Sequence, residues 1–97
     1  MDRMTSIGTF VKITEAGGFA AAARKLGVSP STVTTQIQDL EDRLGVRLLN
    51  RSTRKVSLTE IGKAYYERCM HILADMEAAD TAVQAMHADP YVMSAKA

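Results

Sequence analysis

SPSTVTTQIQDLEDRLG, residues 29–45, begins and ends as a helix should. The Ser29 hydroxyl can accept an orphan backbone N–H of the first turn, and Pro30 sits at the first helical position, where its missing N–H costs nothing. Val33, Ile37, Leu40 and Leu44 then recur at intervals of four, three and four, drawing one aliphatic stripe that Gly45 terminates. At about 100° per residue, Ser31, Thr35, Gln38 and Asp42 project opposite that stripe, with Thr32 and Thr34 on its flanks. The expected helix has an aliphatic core face that includes Leu44, and an outer face that is short, polar and uncharged at its N-terminal end.

Working upstream, FAAAARKL, residues 19–26, is almost pure helix former. Gly27 stops it, and Val28 is expected to anchor the turn back into the core. Before that, Met4, Ile7, Phe10 or Val11, and Ile13 or Thr14 fall at intervals of three and four, which predicts an amphipathic helix with Asp2 as N-cap and Gly17-Gly18 as its end. Downstream, residues 46–49 and 56–58 have strand character and enclose Asn50-Arg51-Ser52-Thr53-Arg54-Lys55, so a two-stranded hairpin with a charged tip is expected. Thr59 and Glu60 supply a capping hydroxyl and a first-turn carboxylate for a long helix over about 60–87.

Tyr65, Cys69, Ile72, Met76, Ala79, Val83 and Met86 in that last helix are spaced 4, 3, 4, 3, 4, 3, a heptad seam. At ~1.5 Å per residue the helix is roughly 40 Å long, too long to bury itself on so small a core. The seam therefore calls for a partner helix. Asp89-Pro90 breaks the pattern, and YVMSAKA beyond it reads as a linker.

A chain of 97 residues, 46% apolar and 24% charged, suits one small globular unit with an appendage. The net charge of +1 divides unevenly: residues 1–59 carry nine Lys and Arg against five Asp and Glu, residues 60–97 three against six. Residues 43–55 hold five basic side chains and no acidic one, a density able to neutralise a run of phosphates. Cys69 is the only cysteine, which excludes an intrachain disulfide and fits a cytoplasmic setting. There is no uninterrupted apolar stretch of signal-peptide type, no membrane span, no phosphate-binding glycine loop and no nucleophile beside an obvious base. No metal site is expected, because His71 and His87 lack partners at ligand spacing and Cys69 falls within the apolar seam; Tyr65 and Tyr66 read as packing residues.

Helix, helix, turn, polar-faced helix, basic hairpin and long helix, in that order, resemble the N-terminal region of LysR-type regulators. The match is carried by FAAAARKLGVSPSTVTTQIQDLEDRLGVRLLNRSTRKVSLTEIG, Phe19 to Gly62, through AA-x-x-L-x-V-S, LE-x-x-L-G-V-x-L-x-x-R and LTE-x-G. The resemblance implies a mainly α fold: a winged helix-turn-helix over residues 1–59, with the helix-turn-helix at about 19–38 and the wing at about 46–58. A linker and dimerisation helix over 60–88 and a hinge over 89–97 would follow. It further implies a bacterial, cytoplasmic, non-enzymatic DNA-binding regulator of transcription. Such a protein binds an inverted repeat in double-stranded DNA as a homodimer, with a tetramer as the alternative for a full-length protein. A small-molecule co-inducer would be sensed by an effector domain absent from this chain, which itself needs no cofactor.

On that basis Pro30, Ser31, Thr32, Thr34, Thr35 and Gln38 are the expected major-groove residues. Arg51, Arg54 and Lys55 are expected on the backbone or minor groove, and Tyr65, Cys69, Ile72, Met76, Ala79, Val83 and Met86 at the dimer seam. Many family members resemble Ser-Arg at Thr34-Thr35, and glutamine is frequent at Pro30, so readout here rests on short hydroxyls and one amide. Two rival readings are a winged-helix protein-interaction adaptor and a winged-helix regulator of the MarR type. The first does not explain the all-basic segment 43–55, and the second expects dimerising helices on both sides of the domain.

Overall fold

Local capping divides the chain into helices, and the computed structural model describes residues 2–51 and 55–88. Helix α1 spans Arg3–Ala16, α2 Phe19–Leu26 and α3 Pro30–Leu44; strands β1, Leu49–Arg51, and β2, Val56–Leu58, lead into α4, Glu60–Ala88. The Asp2 carboxylate caps α1 by accepting from Thr5 N at 3.2 Å and from the Thr5 hydroxyl at 2.8 Å. The hydroxyl bond is the main cause that holds the Asp2 carboxyl below its ordinary value. The stabilisation from this cap is therefore fully present above the ordinary carboxylate value and is lost as pH falls below it, through the lowered value of the folded chain.

The turn from α2 to α3 is built from backbone. Gly27 adopts φ 72°, a left-handed conformation that side chains resist, and Val28 N–H donates to Ala23 O at 3.0 Å. Those two features fix the turn without help from the Val28 side chain, which stands 40% exposed rather than in the core as its apolar character suggested. Ser29 then caps α3, accepting from Thr32 N at 3.2 Å.

The core lies where the first three helices converge. Ile7, Phe10, Val11 and Ile13 of α1 pack with Ala22 and Ala23 of α2 and with Val33, Ile37 and Leu40 of α3. Leu48, Leu49 and Cys69 close it from the hairpin and α4. Each large side chain buried there contributes roughly 1.5–3 kcal/mol. Thr9, buried in α1, donates its hydroxyl to Gln36 Oε1 of α3, so the polar pair between these helices is satisfied. Leu44 departs from expectation: at 39% exposed it lies outside the core, because it is the last residue of α3 and the stripe outruns its neighbours before the chain turns at Gly45.

Strands β1 and β2 pair antiparallel, with Leu49 opposite Leu58, Asn50 opposite Ser57 and Arg51 opposite Val56. Thr59 joins the hairpin to α4. Its N–H donates to Leu48 O at 2.9 Å, and its hydroxyl donates to Arg47 O at 2.7 Å while accepting from Gly62 N at 2.9 Å. The first turn of α4 thus lies directly on the Leu48 carbonyl. A Cβ at Gly62 would come 2.0 Å from that oxygen. Gly62→Ala tests the junction, because intrinsic helix propensity favours alanine by about 1 kcal/mol while the clash opposes it by about 1–3 kcal/mol. We expect a lower urea midpoint and melting temperature for the variant; a midpoint at or above wild type would show that α4 need not approach Leu48 so closely.

Candidate nucleic-acid interface

The α2–turn–α3 unit presents one side of α3 outward. Pro30, Ser31, Thr35 and Gln38 are exposed along it, with Thr32 and Thr34 half-buried on its flanks. The hydroxyls near the N-terminus are already engaged. Ser29 Oγ lies 3.1 Å from Ser31 Oγ and 2.9 Å from Thr32 Oγ1, and Thr34 Oγ1 donates to Pro30 O at 3.0 Å. Thr35 and Gln38 differ, since neither side chain has a hydrogen-bond partner among the described residues. Their donors and acceptors are therefore available to a ligand without breaking an internal bond. Toward the C-terminal end of α3, a cleft of about 350 Å³ is lined by Gln38, Glu41, Asp42, Gly45, Val46 and Arg47.

The hairpin stands beside this surface. Glu41 of α3 ties it down: Oε2 accepts from Leu48 N at 2.8 Å and Leu49 N at 3.2 Å, and Oε1 accepts from Arg51 Nη2 at 3.0 Å. Arg51 also places its guanidinium 5.1 Å from the centroid of the Phe19 ring. Arg51 is thus held on α2 and α3 rather than extended from the hairpin tip. Lys55 is exposed just before β2, and Arg54 lies outside the described residues. The pairing of Glu41 with Arg51 was not anticipated. Its signal was a carboxylate beside the aliphatic stripe, a position where an acid seldom sits without a partner.

The heptad seam of α4 divides in two. Cys69 is fully buried and Tyr65 half-buried, both against the core of the same chain, with the Phe10 and Tyr65 ring centroids 5.6 Å apart. Burial pushes the Cys69 thiol above its ordinary value, which keeps it protonated and a poor nucleophile. Burial likewise raises Tyr65. Cys69 is thus taken up within its own chain, because the first turns of α4 lie against α1, while Tyr65 keeps part of its surface open. Beyond them Ile72, Met76, Ala79 and Val83 are exposed and Met86 is half-buried. Among the described residues no cluster of His, Cys, Asp or Glu could hold a metal ion, and no helix is long and apolar enough to cross a membrane.

This arrangement has close relatives. Residues 4–63 match the family described as bacterial regulatory helix-turn-helix protein, lysR family. An HTH-type transcriptional regulator from Xanthomonas campestris is 47% identical over 81 residues, covering 84% of this chain and 24% of its own length. An HTH-type transcriptional repressor from Pseudomonas aeruginosa is 42% identical over 90 residues, covering 93% of this chain and 28% of its own length. The chain thus spans about a quarter of the length of these curated relatives. Among solved structures, the BenM DNA-binding domain in complex with catB site 1 DNA superposes with a TM-score of 0.84 at 28% identity, covering 90% of this chain and 94% of that one. The CbnR DNA-binding domain in complex with DNA gives 0.80 at 38% identity, covering 90% and 99%. With the family pattern spanning more than half of its residues and the same winged helix-turn-helix and long helix in its fold, the chain belongs to the LysR family of bacterial regulatory helix-turn-helix proteins.

Proposed function

We propose that this chain is the DNA-reading and dimerising part of a transcription regulator, with α3 in the major groove of double-stranded DNA and the hairpin on the flanking backbone or minor groove. The observation that carries the reading is the outward strip of α3, where Thr35 and Gln38 keep their hydrogen-bonding capacity unspent beside a hairpin of basic sequence. An amide and a hydroxyl can read base edges, and the threonine methyl can touch thymine. Likeness to two DNA-binding domains solved with DNA supports DNA as the partner. A protein-interaction adaptor accounts for neither the basic segment 43–55 nor that likeness.

The task is recognition rather than bond-making, carried out in the cytoplasm, and it requires no cofactor in this chain. On the same reading, residues 1–59 form the DNA-binding domain, residues 60–88 the dimerising helix and residues 89–97, which lie outside the described residues, a hinge to an effector domain that senses a small molecule. Exposed apolar side chains on α4 support a homodimer: Ile72, Met76 and Val83 run along a free length of helix, Val83 being 65% exposed. A tetramer would be a property of the longer protein.

Two measurements check this. Selection from a random duplex library should recover a site of two half-sites with dyad symmetry. On that duplex Thr35→Ala or Gln38→Ala should cost about 1–3 kcal/mol while binding to unrelated duplex barely changes, since a base contact is lost only from the specific site. If both variants recover the wild-type consensus with undiminished discrimination, α3 does not read sequence through these residues. Separately, light scattering at micromolar concentration should report twice the chain mass, and Met76→Glu with Val83→Glu should return a monomer. A wild-type monomer would sink the dimer.

A further inference from the structure

We propose that Glu41, Arg51 and Phe19 form a bracket that fixes the hairpin on the reading helix, and that Arg51 serves DNA binding as a positioning residue rather than as a phosphate contact. This deepens the DNA-binding reading and rests on it.

The geometry is specific to this trio. Glu41 lies one turn beyond Gln38 on α3, its side chain only 13% exposed, and both carboxylate oxygens are used. One oxygen collects the backbone N–H groups of Leu48 and Leu49, where the chain enters the hairpin. The other holds the guanidinium of Arg51 at the far end of β1. Phe19, the first residue of α2, supplies a ring against the same guanidinium. Three elements therefore meet on one ion pair: α3 through Glu41, the hairpin through Arg51 and two backbone amides, and α2 through Phe19. Two further ion pairs among the described residues, Lys12 with Glu15 and Lys63 with Glu60, each join residues three apart on one exposed helix face.

A hairpin of two three-residue strands is too small to hold its own orientation. If α3 and the hairpin must reach the duplex together, freedom between them is lost on binding and subtracts from affinity. The bracket removes that freedom beforehand. A sign prediction follows. Removing a negative charge from a protein that meets a polyanion should strengthen binding by electrostatics alone, whereas removing Glu41 should weaken it if the carboxylate holds the hairpin in place.

The test uses the whole 97-residue chain and the best duplex recovered from the random library, with Glu41→Gln, Arg51→Gln and the double variant, each checked for helicity and melting. We expect each single change to weaken specific binding about tenfold, near 1.4 kcal/mol, and the double variant to be no worse than the weaker single one, as for two members of one contact. The slope of log affinity against log salt should stay at the wild-type value for Arg51→Gln, because an arginine engaged by Glu41 releases no phosphate counterion. Binding by Glu41→Gln as tight as wild type or tighter overturns the proposal. So does a salt slope that falls by about two for Arg51→Gln, the value for two phosphate contacts per dimer. The slope measurement stands even if Glu41→Gln fails to fold, since the Arg51 side chain is 32% exposed and its replacement leaves the Glu41 bonds to Leu48 and Leu49 in place. Recovery of no duplex at all overturns the DNA-binding reading and this proposal with it, while normal site recovery with a tight Glu41→Gln overturns this proposal alone.

Discussion

Phe10 is fully buried where α1 meets the rest of the molecule, with Tyr65 and Tyr66 of α4 at centroid distances of 5.6 and 6.2 Å from its ring. Helix α1 touches each of the other helices and β2, so its buried side chains are the common ground on which every element is placed. The α2–turn–α3 unit alone could not hold its shape: the inner face of α2 offers only Ala22 and Ala23 as fully buried residues. Those alanines leave room for α1 to approach, and Ile7, Phe10, Val11 and Ile13 fill the space beneath α3. The outward direction of Thr35 and Gln38 is thus set by packing on the opposite side of their own helix.

Polar groups then refine what the core places coarsely. The Thr9–Gln36 bond ties α1 to α3 at one level, Glu41 ties α3 to the hairpin a little over a turn further on, and Thr59 ties the hairpin to α4. Each links neighbouring elements, and each satisfies groups that packing would otherwise strand. Charge has two separate tasks here. Arg51 is held by Glu41 within the molecule, while Arg43 and Arg47 are exposed at the surface. Counting basic residues in the sequence merges the two, and so overstates how much of the local charge faces a partner.

Much of the fold was legible because its boundaries are local. Asp2, Ser29-Pro30 and Thr59-Glu60 announce helix starts within a few residues of the bonds they make, and the alternation of stripe and glycine gives the lengths. Fates that depend on distant neighbours were not legible. Leu44 continues the stripe of α3 perfectly yet stands 39% exposed; Val28 is apolar but its turn is made by backbone; Cys69 keeps the heptad spacing yet is claimed by its own core. Periodicity reports which residues share a face, not what lies against that face. Glu41 illustrates the same limit from the polar side, since its partner Arg51 is ten residues away and meets it only because the chain doubles back through Gly45.

Helix α4 shows how one periodic seam serves two ends. Its first turns carry Tyr65 and Cys69 into the core and its Gly62 onto the Leu48 carbonyl, so the helix leaves the globule in a direction fixed by contacts at its base. The same spacing continues past Cys69 with Ile72, Met76 and Val83 open to water. A stiff helix anchored at one end transmits the orientation of its base to its free length. Whatever covers the free part of that seam is therefore held at a set distance and angle from α3. If the cover is a second copy, the spacing between two reading helices is a consequence of Gly62, Cys69 and Phe10, residues buried within this chain.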